Sequence, residues 1–392
     1  MDKSTTDNLI TTFMLSVGES ETPQPLFYWS MISTIATVLG PNVWVSRWTG
    51  DLLYPNLYVM LIGPSGCGKG TALNRAHKYI TPYKDDVGYY RGKISPWALS
   101  KKIAEHSRFS YVTPELAAAI PAGAYGRDII KMLTDLYEGG GTHGQYSLTN
   151  GATQFSDPTV NWLAGTIVEW LLETVDQSAI LSGFFARVTV VNVPYRDKRM
   201  VEPRLPDDVR ELRRAVHVYL ARVANLFGQM SLTMDAKRIM EQWYTSRPAP
   251  DDPALVPSFK REWDLAHKLA MVHAAARGTM AISTVDVVNA QNDIAEINAW
   301  LPRIIDMAFT DRQGATIVHT VGEIIRSAGK IQHRALLQKL SPKGVRAAQL
   351  HECIIQLENS GLIRRESHAK PKKKPATYYI WKNLTGSLTA VG

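Results

Sequence analysis

At 392 residues, with 45% hydrophobic and 20% charged residues, the chain can build two or three domains with sizeable cores, which excludes a disordered or fibrous protein. Two cysteines are too few for a disulfide scaffold or a zinc knuckle and suit a reducing, cytoplasmic setting; the polar start MDKSTTDN and the lack of a long apolar run lead us to expect neither a secretory leader nor a membrane partner. The net charge of +8 is lopsided: from Lys330 onward 12 Lys/Arg face 3 Asp/Glu, so the basic character belongs to one end and points to a nucleic-acid-binding appendage on a near-neutral body.

Residues 1–40 read as a helical N-terminal segment. Leu9, Phe13 and Leu15 begin a weak apolar stripe, Phe27, Met31, Ile32, Ile35 and Val38 make a stronger one, and Gly40-Pro41 closes it. Asn42–Trp48 and Leu57–Ile62 read as strands. The second runs into Gly63, Pro64, Ser65, Gly66, Cys67, Gly68, Lys69, Gly70 and Thr71, followed by a helix from about Thr71 to Tyr79. Strand, glycine-rich loop and helix N-terminus in that order form a phosphate cradle, with Lys69 reaching the β- and γ-phosphates as a point charge. The spacing Gly63-x-x-x-x-Gly68-Lys69 fits a P-loop, but Gly70 stands where a hydroxyl should hold Mg²⁺, and Thr71, the candidate metal ligand, comes one residue late. ATP and Mg²⁺ are the expected cofactors.

Thr81–Lys93 reads as a polar connection. Ser95 caps a short helix to Glu105 with Pro96 at its first position, Arg108–Thr113 is a strand, and another helix begins near Leu116. Pro114-Glu115 at the strand's end supplies one acid of the adjacent pair that serves P-loop ATPases, and lacks the Asp. Glu115 is read as the base that polarises the attacking water, although a first-turn helix acid needs no more than the helix dipole to explain it. Asp128–Tyr137 is an amphipathic helix ended by Gly139-Gly140-Gly141, and Asn150-Gly151 marks a hairpin between Gln145–Leu148 and Thr153–Phe155. Val160–Ile167 is an apolar strand and Glu169–Asp176 a helix. Arg187 directly precedes the β-branched strand Val188–Val193, where a guanidinium can serve a neighbouring subunit's γ-phosphate or be a plain surface charge; the pattern leaves both open.

The Pro-flanked, charged run 194–204 reads as the boundary of a core spanning 41–204. Helices follow at Asp207–Ala224, Asp235–Ser246 with Thr233 as cap, Ser258–Arg277, and from the capping box at Ser283–Asp286 through Trp300, giving a helical unit over 205–311. His267 and His273 read as core-edge side chains, not metal ligands. In 312–392, helices Ile317–Ser327, His333–Leu340 and Val345–Asn359 precede strands Leu362–Arg365 and Thr377–Trp381. Three helices and a two-stranded wing predict a winged helix, with Lys370, Lys372, Lys373 and Lys374 at the wing tip against DNA phosphates.

Taken together, these segments resemble the AAA+ ATPases of the helicase clade, near the MCM-like replication helicases of phages and mobile elements. Tyr54–Ala76 resembles that group's P-loop segment, Asn150–Gly165 its pre-sensor hairpin and sensor-1 strand with Thr166 at the sensor position, Ser182–Arg187 its arginine-finger segment, and Lys260–Asp286 its lid, with Arg261 at the sensor-2 arginine. The resemblance implies an α/β fold: a P-loop AAA+ core with a parallel sheet, an α-helical lid and a C-terminal winged helix. It also implies a homo-oligomer, a hexameric ring, with nucleotide between subunits, Lys69, Glu115 and Thr166 acting in cis and Arg187 in trans; Arg261's side is left open. The hairpin tipped by Asn150 and Gly151 would project into the pore and touch DNA, although no Lys or Arg lies between Gly144 and Asp157. The implied activity is an ATP-driven helicase or translocase working with replication proteins. A non-motor helicase loader or initiator is the alternative, and a small-molecule kinase, suggested by Gly68-Lys69-Gly70-Thr71, ranks last because it has no use for the basic tail.

Overall fold

The structure is a computed structural model. It describes residues 8–120, 124–147, 151–168, 170–171, 183–194, 200–250, 255–304, 321–322, 324–340, 350–351, 353–354, 357–358, 363–370 and 373–381. The chain divides into two compact units, Met1–Met307 and Ala308–Gly392.

In the first unit two helices, α1 (Leu9–Val17) and α2 (Gln24–Leu39), precede the strands β1 (Val43–Ser46) and β2 (Leu52–Leu53). The continuous helical stretch expected over the first forty residues is interrupted at Gly18, whose φ of 67° stops α1, and restarts only after Pro23. Leu15, read as part of the stripe, is exposed. The helix α2 is buried almost all round; its Thr34 and Thr37 hydroxyls donate to the Ser30 and Ser33 carbonyls at 2.8 Å, so these two hydroxyls enter the core with partners.

The central layer is a mixed α/β arrangement around β3 (Tyr58–Ile62), α3 (Lys69–Ile80), β4 (Gly88–Arg91), α4 (Pro96–Glu105), β5 (Arg108–Thr113), α5 (Leu116–Ala119), α6 (Ala124–Leu136), β6 (Thr142–Ser147), β7 (Gly151–Ser156), β8 (Thr159–Thr166) and β9 (Val188–Asn192). Five of these strands form one all-parallel sheet in the order β4-β5-β8-β3-β9. All of β3 and β8 is buried, as strands covered on both faces require. Sequence reasoning missed β4, because Gly-Tyr-Tyr-Arg at a sheet edge carries no apolar run. β6 and β7 pair antiparallel from Thr142↔Ser156 to Ser147↔Gly151, the expected hairpin with longer arms.

Helices α7 (Val209–Ala224), α8 (Met234–Ser246), α9 (Val256–Ala276) and α10 (Thr284–Asn298), with the two-residue strands β10 (Gly228–Gln229), β11 (Ser231–Leu232) and β12 (Ala281–Ile282), complete this unit. Thr233 caps α8 by accepting from the Ala236 N–H at 3.3 Å, and the capping box of Ser283 and Asp286 opens α10 as expected. The residues of α1, α2, α3 and α7 to α10 share one hydrophobic core with β3. A buried polar chain ties three of these helices together: the Tyr28 hydroxyl donates to Asp293 Oδ1 at 2.7 Å, and His273 Nε2 lies 2.8 Å from Asp293 Oδ2.

The second unit is a three-stranded antiparallel sheet of β13 (Lys330–Gln332), β14 (Ile363–Lys370) and β15 (Lys373–Trp381), in the order β13-β15-β14, with α11 (His333–Leu340). Its core joins Val321, Ile325, Leu336, Leu340, Ile354 and Tyr379. The strand β13 was not expected; it pairs Lys330 with Ile380, so the predicted two-stranded wing is one edge of a three-stranded sheet. Of the expected helix Glu169–Asp176 all but the helical Trp170 and Leu171, together with the start of Ile317–Ser327 and much of Val345–Asn359, lie outside the described residues.

One close approach in the sheet sets the geometry of the site. A Cβ added to Gly165 on β8 would stand 2.7 Å from the Pro114 carbonyl oxygen and 3.4 Å from Leu73 Cδ1, so the chain beyond β5 rests directly on the β8 backbone. Gly165→Ala should force Pro114 away and destabilise the protein by about 1–3 kcal/mol. Urea unfolding of the full chain checks this; an unchanged midpoint contradicts the packing.

Candidate functional site

Because all five strands of the sheet are parallel, their carboxyl ends lie along one edge. The chain leaves β3 for the far edge at β4, returns through β5 and β8, and adds β9 on the other side of β3. The carboxyl end of β3 is therefore a topological switch point, where open α/β sheets bind ligands. The loop from Gly63 to Gly68 starts there.

Gly66 and Gly68 have φ of 79° and 92°, left-handed values that side-chain-bearing residues avoid. A Cβ on Gly63 would meet Cys67 Sγ at 2.9 Å, so the loop closes on itself. The helix α3 begins at Lys69 with Gly68 as its N-cap and no side-chain cap bond, and its first turn holds no acidic residue. Its leading N–H groups, with those of the exposed Gly70 and Thr71, are free to take an anion, and the helix dipole favours one. The buried Lys69 ammonium donates to the Gly63 carbonyl at 2.6 Å and the Pro64 carbonyl at 2.9 Å, with Cys67 Sγ at 3.8 Å. These three contacts use all three ammonium donors, the one to sulfur being the weakest, so an incoming anion would replace one of them.

Register brings the other expected residues to this edge. Ile62 pairs with Thr166 on one side and with Asn192 on the other, and Thr113 pairs with Ala164. Two residues past Thr113, Glu115 is thus level with Thr166 and one strand removed from the loop. Glu115 is exposed, in extended backbone at the start of α5. Thr166 is fully buried; its carbonyl accepts from the Gly63 N–H at 3.3 Å and its hydroxyl donates to the Ile167 carbonyl at 3.1 Å. Thr166 thus braces the loop through its carbonyl and spends its hydroxyl proton on the next carbonyl along the chain.

These residues suit a polyphosphate: uncapped N–H groups, glycines at positive φ and an ammonium converge on one loop. For Mg²⁺ the oxygen donors at hand are Thr71 and Glu115. Pro114 offers no carboxylate, and the Thr113 hydroxyl already accepts from Trp162 Nε1 at 3.0 Å. Among the described residues no three His, Cys, Asp or Glu group as a metal site; a Mg²⁺ ion on a nucleotide needs only one or two protein oxygens beside the phosphates.

Arg187 and Arg261 lie elsewhere. Arg187 ends a short 3₁₀ turn at the amino end of β9, where Val188 pairs with Tyr58. It donates to the Gly183 carbonyl at 2.8 Å and stands 3.6 Å from Glu138 Oε1; the same oxygen accepts from Arg261 at 2.6 Å. Both arginines therefore sit at the amino edge of the sheet. From Asn56 to Gly63 an extended chain spans about 23 Å, so neither reaches its own P-loop. Burial and the charge of Arg261 lower the Arg187 pKa, with Glu138 opposing.

Sequence reasoning missed what surrounds this pair. Arg47 donates to Asp264 at 2.6 Å and to Glu138 Oε2 at 3.3 Å. Burial alone would raise the Glu138 carboxyl, but the hydrogen bond and charge of Arg261, then Lys268 and Arg47, hold it below the usual carboxylate range. Lys268 is fully buried, donating to the Asn56 carbonyl at 3.0 Å and Asn56 Oδ1 at 2.9 Å, with the Tyr137 ring centroid 4.0 Å away. Burial pushes its pKa down to about 7, against the pull of Glu138 and Asp264. Glu138 lies in the run Glu-Gly-Gly-Gly and Lys268 within a helical apolar pattern, so no local signal marks either.

No family model and no curated protein matches the chain. Of the candidate nucleic-acid contacts, Asn150 and Lys372 lie outside the described residues. Gly151 is exposed with φ 77° at the start of β7. Lys370 and Lys373 pair across the end of the β14–β15 hairpin, and Lys374 follows on β15. Among the described residues, no helix is long and apolar enough to cross a membrane.

The buried lysine makes a pH prediction. Unfolded, Lys268 titrates near 10.5; folded, near 7. Between these values the unfolded chain binds the extra proton, so stability rises with pH across this window and is lost as pH falls toward 7. Lys268→Met should remove about 2 kcal/mol of that rise between pH 7 and 9, read as the difference between wild-type and variant urea curves at the two pH values.

Proposed function

We propose that this protein is an ATP-driven, ring-forming AAA+ motor acting on DNA, a replicative helicase or translocase, with residues 205–311 as a helical lid and the second unit as a winged helix. The observation that carries the reading is the division of charge across one parallel sheet: an ammonium and uncapped N–H groups at the carboxyl edge, and arginines at the amino edge, too far away to serve the same phosphate.

On this reading the N–H groups from Gly66 to Thr71 bind phosphate oxygens, and Lys69 turns from the Gly63 and Pro64 carbonyls to the β- and γ-phosphates. ATP supplies the phosphoanhydride, and Mg²⁺, held by the Thr71 hydroxyl, would screen its charge. Glu115 orients the attacking water and accepts its proton. Thr166 acts through the loop, by fixing Gly63. Arg187 and Arg261 reach the γ-phosphate on a neighbouring copy; their shared contact with Glu138 supports placing Arg261 on the same side as Arg187. Repeating one head-to-tail contact closes a ring.

The second unit supports the DNA reading through its excess of Lys/Arg and through the lysines at the β14–β15 end. The neutral β6–β7 hairpin favours the second reading, a loader or initiator that hydrolyses ATP without unwinding, because a hairpin without Lys or Arg grips phosphates only through amides and polar groups.

Strand displacement on a forked duplex with ATP tests the motor. Wild type should unwind and Lys69→Ala should not; hydrolysis without unwinding selects the loader, and identical behaviour of the two proteins removes the reading. Replacing Lys370, Lys372, Lys373 and Lys374 by Ala should weaken DNA binding and reduce the slope of log K against log salt by about 3. Fluorescence anisotropy between 50 and 200 mM salt reads it.

A further inference from the structure

Three guanidiniums, carried by three separate segments, converge on one carboxylate. Arg47 follows β1 at the root of a tight turn, in which its N–H donates to the Asp51 carbonyl at 2.8 Å and the Gly50 N–H returns to its own carbonyl at 3.0 Å. Arg187 ends the 3₁₀ turn before β9, and Arg261 lies in α9. Glu138 Oε1 lies 2.6 Å from Arg261 and 3.6 Å from Arg187, and its Oε2 lies 3.3 Å from Arg47.

Among the described residues, the donors outnumber the acceptors offered to them. Each guanidinium carries five N–H groups, and a carboxylate has about four acceptor positions. Asp264 takes one bond from Arg47 and the Gly183 carbonyl one from Arg187. Arg187 Nε is buried and has no hydrogen-bond partner among the described residues. Three permanently charged groups and Lys268 face two carboxylates, so the cluster carries an excess of positive charge whichever form Lys268 takes. Such a site takes a further anion, with several oxygens set to meet forked donors.

The cluster is also reachable. The Glu138 side chain is 39% exposed and that of Arg47 24%. Arg47 and Asp264 also line an open cavity of about 570 Å³ beside Trp48, Leu53 and Trp263. The molecule's own P-loop is at the opposite edge of the sheet, so a phosphate held on such a loop can meet this cluster only from a second copy.

We propose that Arg47, Arg187 and Arg261 form one receptor for the terminal phosphate of a nucleoside triphosphate held on the P-loop of a second copy of this chain, and that Glu138 is the internal anion that aligns the three arginines until that phosphate displaces it. This rests on the proposed ATPase reading and adds to it a third arginine and a placeholder carboxylate. Asp264 keeps its bond to Arg47 when Glu138 leaves, so Arg47 stays directed at the site.

The test uses the purified full chain: steady-state ATP hydrolysis of Arg47→Ala, Arg47→Lys and Glu138→Gln, alone and mixed in equal amounts with Lys69→Ala, with Arg187→Ala for comparison. A fluorescent ATP analogue reports binding, and thermal melting reports folding. Arg47→Ala should lose at least about tenfold in kcat, with analogue affinity within about twofold of wild type. Arg47→Lys, which keeps the charge and loses the fork, should fall between them. Mixing Arg47→Ala with Lys69→Ala should restore part of the turnover, because junctions then form with an intact lysine on one side and three intact arginines on the other. Glu138→Gln should lower the ATP concentration for half-maximal hydrolysis several-fold.

Wild-type turnover in Arg47→Ala overturns the proposal. So does a loss in Arg47→Ala that mixing fails to restore while the same mixing restores Arg187→Ala, and so does a Glu138→Gln that needs more ATP than wild type. If wild type does not hydrolyse ATP, or Lys69→Ala hydrolyses it as wild type does, the ATPase reading itself fails, and that result is separate from the behaviour of Arg47. A lowered melting temperature in Arg47→Ala alone is resolved by Arg47→Lys, whose preserved ion pair with Asp264 keeps the fold.

Discussion

A parallel sheet has two unlike edges, and this protein's chemistry divides between them. With β4, β5, β8, β3 and β9 all running one way, the glycine-rich loop, Glu115, Thr166 and Asn192 must emerge together, while Asn56, Tyr137, Glu138 and Arg187 must gather at the other end. No side-chain reorientation moves a residue between edges separated by the length of a strand. The direction of the strands thus decides which groups can share a ligand inside one molecule and which can meet only across a contact with another.

The two edges handle charge differently. At the loop, one ammonium rests on backbone carbonyls, an arrangement that a phosphate oxygen can replace at little cost because the carbonyls return to neighbouring N–H groups or water. At the arginine cluster the charges are permanent and partly buried, so they need an anion at all times to offset their desolvation. Glu138 and Asp264 supply it, and their ion pairs reach from the turn after β1 to α9. Lys268 beneath them satisfies the carbonyls of Asn56 and Tyr137, joining the amino end of β3 to the segment that carries Glu138.

Behind the sheet, one hydrophobic core connects the helix after the glycine-rich loop to the later helices. α2 lies between them, buried on nearly every side, and the Tyr28–Asp293–His273 chain pins it to α9 and α10. Asp293 is the shared partner, so its removal would strand both Tyr28 and His273, which is why a buried hydrogen-bonded chain fixes relative helix positions more sharply than apolar contact alone. At the loop itself, Gly68 packs against the Thr22 side chain, and Glu19 exchanges two backbone hydrogen bonds with Arg204. The segments before α2 and before α7 are thereby joined beside the loop.

Local pattern was enough to read the pieces whose chemistry is local. The strand–loop–helix around Lys69, the strand ending at Glu115, the apolar strand ending at Thr166, the caps at Ser95 and Thr233 and the box at Ser283 each announce themselves within a few residues, because glycine conformation, capping and burial periodicity act over one turn or one strand. The edge strand β4, the break at Gly18–Pro23, the third strand at Lys330 and the meeting of Arg47, Arg187 and Arg261 on Glu138 were not legible there. Pairing supplies β4 and β13 with their partners, and residues 123 and 214 positions apart, Glu138 and Arg261 or Arg47 and Arg261, meet only when the sheet order is set. What the amino-acid sequence determined by itself was the strand, glycine-rich loop and helix around Lys69 and the kinds of side chain near it; the tertiary structure alone decided which arginines share a carboxylate, because that depends on strand order and direction, and neither is encoded in any single segment.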